Sequence, residues 1–138
     1  MAIKKPEFKY PAVMLVDDNE IDNFINIKMI EAINFAEKIW VHTSGKSGLE
    51  FLRNLERAGK AADLLFPTFI FLDINMPMMD GFQFLEEFKK FKYPINNTGR
   101  IRMLSTSLNP SDKVRSMKHE YVADFIVKPL TTESLNLL

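Results

Sequence analysis

The sequence contains no cysteine among its 138 residues. This absence excludes disulfide bonds, zinc–thiolate sites and thiol catalysis, and it fits a reducing compartment. The sequence also has no excess of either charge, because eighteen basic residues balance eighteen acidic ones. A chain without net charge has no overall basic field for nucleic acid or an anionic membrane, so a partner must be recognised by a local surface.

Long hydrophobic runs are absent as well. The first apolar stretch, residues 12–16, ends directly on two aspartates, whereas a secretory signal needs a longer apolar region and a membrane span needs about 18 apolar residues. We therefore expect a soluble, cytoplasmic protein whose partner is neither a membrane nor a nucleic acid. The length of the chain is that of one ordinary domain with a real hydrophobic core.

Short apolar segments alternate with longer amphipathic ones along the chain. Short, nearly continuous apolar runs are typical of strands that are covered on both faces. They predict five strands, at residues 12–16, 38–42, 68–73, 100–105 and 124–129. An amphipathic segment follows each strand, and repeated strand–helix units predict an α/β fold: a doubly wound, mostly parallel five-stranded sheet with helices on both faces.

The helices are predicted from the spacing of their apolar residues and from their capping residues. In the first helix, the following apolar residues have the spacing of one helix face: Ile21, Phe24, Ile25, Met29, Ala32 and Ile33. A later helix is predicted to begin after Asn109 as its cap, with Pro110 in its first turn. Residues 58–67 form a longer and less regular connection, and the sequence predicts no role for it.

Polar residues stand where the predicted strands end. Asp17 and Asp18 follow the first strand, Asp73 ends the third, Ser105 ends the fourth and Lys128 lies at the end of the fifth. In open α/β sheets the ligand site lies at the carboxyl ends of the strands, so we expect these side chains to meet at one edge. Two carboxylates about 4 Å apart repel by about 4 kcal/mol at an effective dielectric of about 20. Such a cluster needs a cation, and oxygen ligands suit Mg²⁺.

The same residues suit phosphoryl chemistry. Lys128 supplies a compact positive charge and Ser105 a hydroxyl donor, and both can hold the oxygens of an anion. We prefer Ser105 to its neighbour Thr106 for this role. A carboxylate can act as the nucleophile and form an acyl phosphate, and Asp73 is best placed because it ends the most apolar strand of the chain.

Four sequence motifs carry a resemblance to a known family. The segments "LVDDNE", "FLDINMPMMDG", "MLSTS" and "FIVKPL" resemble the motifs of response regulator receiver domains of two-component signalling. The resemblance covers residues 10–138 and leaves residues 1–9 as an N-terminal extension. It implies the flavodoxin-like fold of receivers, with four motifs at four strand ends.

The resemblance also implies the chemical roles of several residues. Asp17, Asp18, Asp73 and the main-chain carbonyl of Asn75 would bind Mg²⁺. Asp73 would accept a phosphoryl group from a histidine kinase or a phosphotransfer protein. The protein would then be a stand-alone signalling switch that catalyses only its own phosphorylation and dephosphorylation, and it would not otherwise be an enzyme.

Other residues would, by the same resemblance, read out the phosphorylation. Ser105 and Lys128 would contact the phosphoryl group, and the Lys128–Pro129 peptide bond would be cis. Phe125 would be the switch aromatic, which turns inward as Ser105 moves toward the phosphoryl oxygens. The expected result is altered binding of a downstream protein that the sequence does not identify, with the receiver as a monomer or a phosphorylation-dependent dimer.

Two alternatives remain open at this point. One is a haloacid-dehalogenase-like phosphatase, which also forms an aspartyl phosphate. That class carries an acid/base aspartate two residues after the nucleophile, where this chain has Asn75. The other alternative is an interaction module that keeps the receiver fold but no longer uses its site.

Overall fold

The computed structural model describes residues 6–138, apart from the side chain of residue 64. Residues 1–5 of the predicted extension lie outside the described part. Five parallel strands form one sheet in the order β2-β1-β3-β4-β5. The strands are β1 Tyr10–Val16, β2 Ala36–His42, β3 Phe69–Leu72, β4 Ile101–Ser105 and β5 Val122–Val127. The predicted doubly wound parallel sheet is confirmed.

Each strand is followed by a helix whose first turn is capped. The helices are α1 Glu20–Ala32, α2 Gly45–Ala58, α3 Gly81–Phe88, α4 Pro110–Met117 and α5 Thr132–Asn136. The capping side chains, which accept a backbone N–H of the first turn, are Asn19, Ser44, Asp80, Asn109 and Thr131. Such caps satisfy backbone donors that have no partner within the helix. Each strand-to-helix junction is therefore fixed by the local sequence.

The long connection after α2 contains a 3₁₀ helix, Gly59–Leu65. The indole N–H of Trp40 on β2 donates a hydrogen bond of 2.8 Å to the carbonyl of Leu65. This bond ties the connection to β2, the edge strand of the sheet.

The sheet has a hydrophobic core on each face. Successive residues of β1 point to opposite sides, so Val13 packs in the core beneath α1 and α5, and Met14 packs in the core beneath α2 and α3. Both side chains are fully buried. Among the described residues, no helix is both long and apolar enough to cross a membrane.

The predicted helix α1 is confirmed, but the first residues of its predicted apolar face do not pack in the core. Ile21 and Phe24 are 71% and 62% exposed, whereas Asn23, Asn26 and Ile30 are buried. One polar atom of each asparagine amide has a backbone partner. The Asn23 amide donates to the Asp17 carbonyl at 2.8 Å, and Asn26 Oδ1 accepts the N–H of Leu130 at 2.9 Å.

Candidate functional site

The carboxyl ends of four adjacent strands bring the predicted site residues to one edge. Asp17 follows β1, Asp73 follows β3 and Lys128 follows β5, while Ser105 is the last residue of β4. Backbone hydrogen bonds extend the sheet one residue beyond its strands: Asp73 N–H donates to the carbonyl of Val16 at 3.0 Å, and Lys128 N–H donates to that of Ser105 at 2.9 Å. The backbone at each site residue is therefore held by the sheet.

Three carboxylates form a cluster at this edge. Asp17, Asp18 and Asp73 each place one carboxylate oxygen within 4.8 Å of the others. Asp17 and Asp73 are buried, and Asp18 is exposed. An all-oxygen donor set with one side open to solvent fits a hard cation that retains some of its waters. The main-chain carbonyl of Asn75, two residues after Asp73 in the loop that follows β3, remains a predicted fourth ligand.

Lys128 compensates part of the negative charge. Its ammonium nitrogen contacts the carboxylates of Asp17, Asp22 and Asp73, at 2.9 Å from Asp22 and 3.4 Å from Asp73. The lysine side chain is only 6% exposed. Burial lowers the pKa of Lys128, but the hydrogen bonds to Asp17 and Asp22 together with the charge of Asp73 outweigh burial and raise this pKa. The lysine is therefore held in its charged form.

The surroundings of Asp73 disfavour the ionised form of its carboxylate. Burial and the neighbouring charge of Asp17 raise the pKa of Asp73 from 3.8 to about 6, although Lys128 and the backbone N–H of Ile74 oppose this shift. One lysine therefore does not neutralise the cluster. A divalent cation would supply the missing charge and favour the ionised form of Asp73, which is the form that can act as a nucleophile.

Ser105 and Phe125 occupy positions close to this edge. Ser105 is buried, and its hydroxyl oxygen accepts the backbone N–H of Ser107 at 3.1 Å, whereas Thr106 is exposed. Phe125 pairs with Met103 in the register of β5 on β4, and its half-buried ring packs against the core beneath α2 and α3. The movement of Phe125 remains a prediction.

The loop between β3 and α3 passes very close to the backbone of Asp73. A Cβ atom on Gly81 would lie 2.5 Å from the carbonyl oxygen of Asp73, so only glycine fits there without displacement. The Gly81 N–H also donates to the carbonyl of Ile74 at 2.8 Å. The glycine of the "MDG" segment thus allows α3 to begin directly beside the site.

The β5–α5 loop, which begins at Lys128, is held in place by helix α1. The Lys128–Pro129 peptide bond is cis, as the resemblance implies. The next residue, Leu130, is fully buried and donates its N–H to Asn26 of α1. Helix α1 therefore helps to hold the segment that carries the lysine.

Sequence reasoning missed the contribution of α1. Asp22 contacts the lysine, Asn23 bonds to the backbone at Asp17, and Asn26 bonds to the β5–α5 loop. With the cap Asn19, these residues recur every three or four positions and form a polar stripe on the helix. That stripe was the available signal, but a polar face normally predicts exposure to solvent.

Comparison with known proteins identifies the family. A family model described as "Response regulator receiver domain" matches residues 13–137, almost the whole chain. The chain is a receiver domain of the response regulator family. Its relation to solved structures agrees: the crystal structure of a two-component response regulator from Cytophaga hutchinsonii is 34% identical, has a TM-score of 0.80 and aligns over 91% of each chain.

Two curated relatives place the receiver in signalling proteins of different size. It is 26% identical over 127 residues to the probable methanogenesis regulatory protein FilR2 of Methanothrix harundinacea, covering 89% of the receiver and 75% of that protein. It is 28% identical over 123 residues to the sensor histidine kinase CheAY of Helicobacter pylori, covering 89% of the receiver but 14% of the kinase. The receiver thus corresponds to one module of the larger protein.

The family match decides between a signalling switch and a phosphatase. A receiver domain is a phosphorylation-dependent signalling switch that obtains its phosphoryl group from a histidine kinase or phosphotransfer protein, and this chain is such a switch. The dehalogenase-like phosphatase has no support in the comparisons. Within the described residues 6–138, the carboxylates of Asp17, Asp18 and Asp73 form a cluster that could hold a metal ion.

Proposed function

We propose that Asp73 is the phosphoacceptor of this receiver and that Mg²⁺ is its cofactor. The proposal is carried by one observation: Asp73 is a buried carboxylate, 3.4 Å from the Lys128 ammonium and within 4.8 Å of two further carboxylates. Asp17, Asp18, Asp73 and the main-chain carbonyl of Asn75 would hold the ion. When bound, the ion supplies positive charge to the acidic cluster and to the oxygens of the transferred phosphoryl group.

The receiver's own residues carry the transfer. A carboxylate oxygen of Asp73 bonds to phosphorus as the bond from phosphorus to a histidine nitrogen of the donor breaks, and the electron pair of that bond remains on the imidazole. Lys128 neutralises charge on the phosphoryl oxygens, and the Ser105 hydroxyl donates to one of them. The chemistry is limited to formation and hydrolysis of this acyl phosphate, so the receiver turns over no other substrate.

The Ser105 hydroxyl links the phosphoryl group to the surface. Movement toward the phosphoryl oxygens releases its bond to the Ser107 N–H and frees the space into which Phe125 turns. Side chains of α4 and β5 that are exposed in this structure, including Val114, Met117 and Val127, form the surface that would change. This surface would bind the downstream protein, or a second receiver in a phosphorylation-dependent dimer.

The exposed apolar side chains of α1 would provide a contact surface for the phosphoryl donor. Ile21 and Phe24 lie on the helix whose Asp22 contacts Lys128. A donor histidine must reach Asp73, so the histidine kinase or phosphotransfer protein must cover this rim, and an apolar patch beside it provides an area for contact. The cytoplasmic location expected from the sequence remains a prediction.

Labelling with a small phosphoryl donor tests the proposal. We expect acetyl phosphate with Mg²⁺ to add one phosphoryl group to the receiver, as seen by intact mass, and we expect chelation of the metal to prevent it. Asp73→Asn should abolish labelling, whereas Asp63→Asn, an exposed aspartate in the 3₁₀ helix, should not change it.

The interaction-module alternative predicts a different outcome. A receiver that no longer uses its site would show no Mg²⁺ binding and no response to the phosphoryl mimic beryllofluoride. Undiminished labelling of Asp73→Asn would show that another residue is the acceptor.

A further inference from the structure

The ammonium group of Lys128 is shared among more carboxylates than the proposed chemistry requires. Asp17 and Asp73 belong to the site, but Asp22 lies in the first turn of α1 and has no part in the transfer described above. Its carboxylate oxygen is nevertheless nearer to the lysine nitrogen than that of Asp73, at 2.9 Å against 3.4 Å.

The position of Asp22 is fixed by its neighbours. Its backbone N–H donates to the cap residue Asn19 at 3.0 Å, and the amide of Asn23 donates to the carbonyl of Asp17 at 2.8 Å. One turn later, Asn26 accepts the N–H of Leu130, two residues after the lysine. The helix is therefore bonded both to the end of β1 and to the β5–α5 loop, so the contact between Asp22 and Lys128 joins two fixed backbones.

Three carboxylates contact the ammonium group, which has three protons. The contact with Asp22 is a hydrogen bond of 2.9 Å, which directs one of these protons toward α1. A phosphoryl oxygen on Asp73 therefore competes with the carboxylates for the lysine. Asp22 is the one released at lowest cost, because its side chain is 29% exposed whereas those of Asp17 and Asp73 are almost completely buried, and an exposed carboxylate is rehydrated easily.

We propose that Asp22 is a positioning residue that holds Lys128 back in the unphosphorylated receiver and releases it when a phosphoryl group forms on Asp73. This inference rests on the proposed function. Asp22 then slows phosphorylation, because the lysine must leave an ion pair to neutralise the phosphoryl oxygens. It also connects the state of Asp73 to the first turn of α1.

Three variants of the full chain test the proposal. We expect Asp22→Ala to raise the rate of labelling by acetyl phosphate with Mg²⁺ about two- to fivefold, the range that corresponds to one partly screened ion pair. Asp22→Glu, which can restore the ion pair, should return the rate toward that of the parent protein. Glu20→Ala is the matched control, since it removes an exposed acidic residue from the same turn and should leave the rate unchanged.

A second measurement uses the unaltered protein. With ¹³C-labelled aspartate, the carboxyl resonance of Asp22 should move when beryllofluoride and Mg²⁺ are added, because its lysine partner is withdrawn. This measurement does not depend on the folding of a variant, and an Asp22 resonance that does not move would overturn the proposed release of the lysine.

The outcomes separate the two proposals. A parent protein that is not labelled at all overturns both the proposed function and the role of Asp22. A parent that is labelled, with Asp22→Ala equal to or slower than the parent, overturns the role of Asp22 alone. Equal acceleration by Asp22→Ala and Glu20→Ala would also overturn it, since the effect would then come from the overall field and not from the lysine contact.

Discussion

At the scale of single residues, Asp73 is held in an environment that opposes its charge. Burial and Asp17 raise its pKa to about 6, so the folded metal-free receiver binds a proton more tightly than the unfolded chain does. Stability from this residue is therefore present below about pH 4 and is lost as the pH rises toward 6. The site is electrostatically unfavourable until a cation compensates it.

The variant Asp73→Asn removes this unfavourable charge. We expect it to raise the free energy of unfolding of the metal-free protein by about 1–3 kcal/mol near neutral pH, as measured by urea denaturation with a chelator present. The gain should shrink as the pH falls from about 6 to about 4, because Asp73 becomes protonated in both states. It should also shrink when Mg²⁺ is added. A destabilised Asp73→Asn at neutral pH would show that the cluster is not under the charge repulsion inferred here.

Met78 has an unfavourable backbone conformation. Its φ angle is +69°, in the left-handed region that asparagine and glycine adopt more readily than methionine, and its side chain is fully exposed. The other non-glycine residue with a left-handed backbone in the described part of the chain is Asn34, which suits that conformation. We expect Met78→Asn to stabilise the protein by about 0.5–1 kcal/mol, measured as an increase in the urea midpoint. No gain in the midpoint would mean that this loop has a different conformation in solution.

At the scale of elements, α1 is the helix that sequence analysis described least well. Its helical spacing was visible in the sequence, but its buried face was not, because the partner of Asn26 lies 104 residues away. Local patterning assigns a hydrophobic face to the core, and here the hydrogen bonds from the side chains of Asn23 and Asn26 to the backbone outweigh that preference. The strand ends were easier to predict, because an apolar run followed by an acidic or basic residue is a local signal.

Asn26 provides a test of this arrangement. Asn26→Leu keeps a side chain of similar size but leaves the buried N–H of Leu130 without a partner. We expect a loss of about 1–3 kcal/mol in the free energy of unfolding, whereas Lys28→Ala, at an exposed position on the same helix, should change it by less than about 0.5 kcal/mol. Equal effects of the two variants would show that the hydrogen bond does not fix the β5–α5 loop.

At the scale of the whole molecule, the strand order brings the chemistry together. The sequence predicted five parallel strands and the polar residues at their ends, and hence one common edge. It could not give the distances there, because they depend on how α1 and the β5–α5 loop pack against the sheet. The additional carboxylate of Asp22 at the lysine and the exposed apolar side chains of α1 are consequences of that packing.

The position of the phosphoryl group is the most direct test of the whole interpretation. Borohydride reduces an aspartyl phosphate to homoserine, so the receiver can be phosphorylated with acetyl phosphate and Mg²⁺, reduced, digested and sequenced by mass spectrometry. We predict homoserine at position 73 alone, and none when the metal is chelated. Homoserine at position 17 or 18, or none under any condition, would mean that Asp73 is not the phosphoacceptor.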